Sequence, residues 1–300
     1  MATHLDLNID ALKYPDPGEE KKSGSKLLSR VIPFKSSHSK TSTSDPSIPR
    51  EYLLSDYKIF LILRDFLQPG STIKPDDAVS SALEVFPVGY SDLRSLNTVC
   101  LELAEQIPYD HPSQLKLASF LWLVGRRSKR VAKLQSKEKP IATENFYQHL
   151  SEDISDNLAD PGDDDTEPVR YINFQSFLAH LMGLGLFHAD THDAERAMRL
   201  AFEQDHADES IVIHDAWILG AAQWILWYGQ ELFKLLLWKE NGEEAFEKDK
   251  TGSTILKKWD SWKGKFEEAT GESGGHGDEC RKVAKRAVEI MAVLERVMPC

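Results

Sequence analysis

The chain has 300 residues, 41% of them hydrophobic and 28% charged, with a formal net charge of -12 at pH 7. That composition belongs to a folded globular protein and excludes a fibrous or wholly disordered one. An acidic pI near 5.3 argues against general binding to nucleic acid or anionic membrane, whose phosphates need basic surface.

Cys100, Cys280 and Cys300 form no short-spaced pair and give an odd count, so the sequence spells out neither a disulfide framework nor a thiolate zinc site. A reducing intracellular setting is expected. The opening residues hold no uninterrupted apolar run of signal-peptide length and carry Asp6, Asp10, Asp16, Glu19 and Glu20, which transit peptides avoid. The expected location is therefore cytoplasmic, or nuclear if the basic stretch described below is read as an import signal.

Residues 1–50 read as a disordered leader, ending in KSSHSKTSTSDPSIPR, which has almost no apolar side chains to offset the entropy of ordering. From Glu51 the pattern turns helical. EYLLSDYKIFLILRDFLQ runs to the helix-stopping pair Pro69-Gly70, and Pro75 with Asp76 and Asp77 opens the next helix, as proline and carboxylates suit a helix N-terminus. Behind a Ser91 cap, Leu93, Leu96, Val99, Cys100, Leu103 and Ile107 repeat at three and four. Pro112 starts a further helix, and Thr143 caps one carrying Phe146, Leu150 and Ile154.

After the acidic loop 160–168, YINFQSFLAHLMGLGLF places Phe174, Phe177, Leu178 and Leu181 on one face, with Ser176, His180 and Gly183 roughly opposite. Ala194, Ala197, Met198, Ala201 and Phe202 face inward on the next helix. Trp259, Trp262 and Phe266 mark another, and past a Gly-rich linker at 270–277 a last helix carries Val283, Ala284, Ala287, Met291, Leu294 and Met298. No segment alternates with period two over a convincing length. The expected fold is all-α, an irregular multi-helix bundle forming a single domain over residues 51–298.

AWILGAAQWILWYGQELFKLLLW, residues 216–238, holds four of the seven tryptophans. Only fourteen residues separate Asp215 from Gln230, and Gln223 interrupts them, whereas a membrane span needs about 20. A helix apolar over nearly its whole circumference must be surrounded by others, so this one is expected to be the bundle's central rod. The other reading of its tryptophans is a small-molecule pocket with Gln223, Trp224 and Trp227 on its wall.

YINFQSFLAHL, AAQWILWYGQELF and WDSWKGKF followed by EIMAVLERV resemble a fungal family catalogued as domain of unknown function 3632, over roughly residues 51–298. The resemblance implies a helical protein and supplies no site residues.

Three constellations bear on chemistry. His188, His214 and Asp215, in FHADTHD and IVIHDAW, follow the metal-ligand order of HD-type phosphohydrolases, in which imidazoles and carboxylates hold a metal that activates water. Asp190 or Thr191 would otherwise simply cap the next helix. The run Asp163 to Glu167 fits an aspartate-rich magnesium motif but lies between prolines without a second such motif, so a solvated acidic loop is the better reading. RRSKRVAKLQSKEK, with seven basic residues and one acid, makes Arg126, Arg127, Lys129 and Arg130 a candidate patch for a protein partner.

No nucleophile elbow, flanked reactive cysteine or phosphate-binding glycine loop is present. The function expected is a non-catalytic protein-interaction or regulatory module with an unidentified protein partner and no cofactor. The alternatives are a metal-dependent HD-type phosphohydrolase and a small-molecule-binding helical bundle.

Overall fold

The computed structural model describes residues 3–9, 50–86, 93–135, 142–162, 168–187, 190–241 and 254–298. Among them it is all-α: α1 (Arg50–Leu67), α2 (Pro75–Glu84), α3 (Arg94–Gln106), α4 (Ser113–Gln135), α5 (Ala142–Asp156), α6 (Pro168–Gly183), α7 (His192–Phe202), α8 (Ile211–Asn241), α9 (Thr254–Ala269) and α10 (Asp278–Val297). None of the described helices is long and apolar enough to cross a membrane. The chain divides into two compact units, one of residues 1–103 and 123–158, the other of residues 104–122 and 159–300.

In the first unit, α1 buries Ile59, Leu63, Phe66 and Leu67, which fall at i, i+4, i+7 and i+8 and so share one face. It packs on α2, whose Pro75 sits at the first helical position with Asp76 and Asp77 in the first turn, as the sequence predicts. On α3 and α5, the buried Asn97 donates to Asp153 at 2.9 Å, and Arg94 pairs with Glu152 at 3.1 Å. Burial raises the Asp153 pKa above the usual carboxylate value, although the Asn97 hydrogen bond opposes that.

Residues 3–9 differ from the leader reading. They form no helix or strand, and Leu5, Leu7 and Ile9 are buried while the residues between them are exposed. The Gln68 side chain holds Leu5 at both ends: the Leu5 N–H donates to Oε1 and Nε2 donates to the Leu5 carbonyl, each at 3.1 Å. THLDLNI therefore alternates in burial with period two over a length too short to stand out, and at Leu5 its backbone is held by a side chain. Residues 10–49 lie outside the described residues.

The second unit is built around α8, 31 residues and about 46 Å long, which packs against α6, α7, α9 and α10. The central-rod expectation holds here. Residues 216–225 are buried without a break, and Trp217 and Trp224 are core. Trp227 instead reaches solvent beside the exposed Gln230, Glu231 and Lys234. Gln223, which interrupts the apolar run, is fully buried, with Nε2 donating to the Leu219 carbonyl and Oε1 accepting from Trp227 Nε1.

Burial of α6 extends to its polar face, because every residue from Tyr171 to Met182 is buried. Three of the polar ones, Asn173, Gln175 and Ser176, make hydrogen bonds through their side chains. Asn173 Nδ2 donates to the Glu105 carbonyl at 2.8 Å, Ser176 Oγ to the Tyr109 carbonyl at 2.9 Å, and Gln175 Oε1 accepts from Trp224 Nε1 at 2.8 Å. Gln114 Nε2 adds bonds to the carbonyls of Ala104, Ile107 and Asn173. Carbonyls left open where α3 ends are thus satisfied by buried amides, which lets α6 be enclosed all round.

Close approach of α6 to α8 depends on Gly220, where a Cβ would stand 2.5 Å from Tyr171 Cε1. That ring is 4% exposed and meets Trp217 edge-on at 5.0 Å, so it has nowhere to move. Gly220→Ala is expected to cost about 1–3 kcal/mol through overpacking, read as a lowered urea midpoint. A midpoint at or above wild type would contradict this contact.

Candidate functional site

The first turns of α8 and the Gly-rich turn before α10 meet in the second unit. A cleft of about 520 Å³ opens there, lined by Phe202 at the end of α7, His206 in the following loop, His214 and Ile218 on α8, Lys265 and Glu268 on α9, and His276. That volume lies within the range of about 300–1,000 Å³ common to small-molecule sites. A second cleft, near His192, Arg199 and Trp262, has about 200 Å³ and falls below it.

Local sequence explains how His276 arrives. A short 3-10 turn at Glu272–Gly274 is followed by Gly275 at φ 68, a left-handed conformation suited to glycine. At Gly274 a Cβ would stand 2.7 Å from the His276 ring, so two consecutive glycines allow the ring to fold back. Gly277 then caps α10, and its N–H donates to Asp215 Oδ2 at 2.9 Å. Arg281 Nη1 fixes the His276 carbonyl at 3.0 Å.

Asp215 Oδ1 accepts from His276 Nδ1 at 2.7 Å, leaving Nε2 as the ring nitrogen without a hydrogen-bond partner among the described residues. A carboxylate on one imidazole nitrogen sets the tautomer and directs the other nitrogen to ligand or proton chemistry. The Cys280 thiol also contacts Asp215, and burial, reinforced by the Asp215 charge and hydrogen bond, pushes its pKa up. As a nucleophile it is therefore poorly activated.

His214 stacks on His206 at 5.0 Å and meets His276 edge-on at 5.1 Å. Burial, followed by the charges of His206 and His276, lowers its pKa below the ordinary imidazole value. The His206 ring is engaged on both sides, with Nδ1 3.0 Å from a Glu209 carboxylate oxygen and Nε2 2.7 Å from the Leu200 carbonyl. Glu209 also accepts from Trp217 Nε1 at 3.1 Å, which puts a tryptophan behind the histidine wall.

Of the residues singled out from the sequence, His214 and Asp215 lie here, and His188 lies outside the described residues. Asp215 turns to His276 and Cys280, while the His214 ring turns to His206. Asp190 accepts the His192 N–H at 3.0 Å, in keeping with the helix-capping reading of that junction. Neither cleft is lined by Gln223, Trp224 or Trp227.

In the basic stretch, Arg127 binds Ser80 at 2.5 Å and Asp76 at 2.6 Å on α2. The side chains of Lys129 and Arg130, and the acidic run 163–167, lie outside the described residues.

His206, His276 and Cys280 were not anticipated. His276 sits in a stretch that reads as a linker, and His206 in one that reads as a loop. The available signal was the four-residue spacing of His276 and Cys280 across a helix start, which brings two metal-binding residue types to one side of the first turn.

No curated protein matches the chain, and no solved structure does. A family model described as "Protein of unknown function (DUF3632)" matches residues 98–266, which cover α6, α7, α8 and most of α9. On that match, over more than half of its length and over most of the helices that build the cleft, the chain belongs to the DUF3632 family.

Proposed function

We propose that the protein is a small-molecule-binding helical protein whose ligand site is the cleft walled by His206, His214 and His276. The observation that carries the reading is the cleft itself: about 520 Å³, with three imidazoles, Lys265, Glu268, Gln204 and Asp205 meeting the apolar side chains of Phe202, Ile218 and three alanines. With His206 engaged on both nitrogens, the imidazole groups left to meet a ligand are the His214 ring and His276 Nε2. With Nδ1–H held by Asp215, His276 Nε2 accepts, while the His214 ring accepts or donates according to tautomer, and beside an ammonium and two carboxylates this suits a small polar molecule carrying both donors and acceptors. The protein-interaction reading has less support, because Arg127 of the basic stretch is already held by α2.

Small molecules that co-purify with the full chain, extracted and identified by mass spectrometry, test the proposal. A compound enriched with wild type and lost from His214→Ala is expected, and adding it back should raise the melting temperature of wild type alone by mass action. Trp217, with its ring 5.9 Å from His206, provides a fluorescence readout of the same binding. Enrichment and thermal shift that persist unchanged in His214→Ala would place the ligand elsewhere.

A further inference from the structure

Asp215, His276 and Cys280 bring a carboxylate, an imidazole and a thiol to one point, with donor atoms all within 4.8 Å of one another. No other set of three such side chains converges in this way among the described residues. His276 is 8% exposed and Cys280 1%, so two of the three donors are shut away from bulk water. To hold the start of α10 Asp215 needs only the Gly277 N–H, and that role does not call for a thiol and an imidazole on the same carboxylate.

The spacing fits a tetrahedral ion. Bonds of about 2.0–2.3 Å at such a centre separate the ligand atoms by about 3.3–3.6 Å, which small side-chain rotations would reach from the present arrangement. A mixed sulfur, nitrogen and oxygen set suits zinc, while magnesium and calcium prefer oxygen alone.

We propose that Asp215, His276 and Cys280 form a binding site for one zinc ion, with the fourth position left to water or to a molecule in the adjoining cleft. When the ion binds, the Cys280 thiol releases its proton to solvent and bonds through the thiolate. The His276 ring carries its proton on Nε2 while Nδ1 bonds the metal, and Asp215 Oδ1 exchanges its hydrogen bond for a metal bond as Oδ2 keeps the Gly277 N–H. One dication then meets one thiolate and one carboxylate, so the site is electrically neutral and releases a single proton per ion. The thiolate-site exclusion drawn from cysteine spacing does not reach this case, because only one of the ligands is a cysteine. The site rests on its own donor atoms and stands whether or not the cleft holds a small molecule.

Full chain purified without chelators, then stripped and titrated with cobalt(II), tests this. A thiolate-to-cobalt charge-transfer band saturating at one ion per chain is expected, with release of one proton and displacement of the band by zinc. Cys280→Ser should abolish the band, and zinc binding by Cys280→Ser and His276→Gln should weaken by more than about 100-fold, beyond what loss of a supporting residue does. His214→Ala and Cys300→Ser should retain it, which separates failure of this site from failure of the small-molecule reading. Absence of the band in wild type overturns the proposal, as does a band that survives in Cys280→Ser or vanishes in Cys300→Ser. If Cys280→Ser folds poorly by circular dichroism, retention of the wild-type band in Cys100→Ser and Cys300→Ser assigns it to Cys280, and its loss from either overturns the assignment.

Discussion

Trp224→Ala is expected to lower the stability of the protein by about 3–5 kcal/mol, the range for removing a large aromatic side chain from a packed interior. The side chain is 1% exposed, packs edge-on against Tyr228 at 6.1 Å, and donates its indole N–H to Gln175 Oε1 at 2.8 Å. Removal leaves a cavity beside α6 and also strands a buried amide oxygen, which carries its own desolvation penalty. Trp224→Phe should lose less, because it refills most of the volume and forfeits mainly the hydrogen bond. Urea unfolding of both variants checks the order, and a Trp224→Ala midpoint close to wild type would contradict the core placement.

Acid should weaken the fold between about pH 6.5 and 4 through His180. Its ring is 8% exposed, lies 4.5 Å from that of Trp227, and has a pKa lowered to about 4 by burial. In the unfolded chain an ordinary imidazole titrates near 6.5. Above that pH both states hold the neutral ring and the group has no effect on stability. Between the two values the unfolded chain binds the proton and the folded one does not, so stability falls as pH falls, by about 3 kcal/mol in total. His180→Gln should flatten this part of the profile, whatever it does to stability at pH 7. An unchanged difference between urea unfolding at pH 7 and at pH 4 in that variant would assign the acid sensitivity to other groups.

Much of the architecture was legible because helix signals are local. Pro75 with two aspartates marked the start of α2, and the three-and-four spacing of Trp259, Trp262 and Phe266 marked the buried stripe of α9. Ala194, Ala197, Met198 and Ala201 on α7, and Val283, Ala284, Ala287, Met291 and Leu294 on α10, turned inward as their spacing requires. Where the reading fell short, the deciding partner was distant in sequence. Ser176 lies opposite the apolar face of α6 by its spacing, and it is buried because the carbonyl of Tyr109, 67 residues earlier, is placed against it. Leu5, Leu7 and Ile9 look like part of a leader until Gln68 supplies the backbone hydrogen bonds, 63 residues away.

The candidate site divides in the same manner. His214 and Asp215 are neighbours on one helix and drew attention as a pair, yet in the structure Asp215 hydrogen-bonds His276 while the His214 ring stacks on His206. Asp215 meets His276 from 61 residues further along, and His214 meets His206 across a loop.

By itself, the sequence determined that the chain is helical, where most helices begin and end, which stripes are apolar, and that the tryptophan-rich segment lies at a centre. Each of these follows from residues within a few turns of one another, through the 3.6-residue period and the chemistry of helix ends. Only the tertiary structure decided that His206, His214 and His276 wall one cleft and that Asp215, His276 and Cys280 share one point. Those meetings depend on how α7, α8, α9 and α10 pack and on a Gly-Gly turn that folds a ring back, and no local period encodes either.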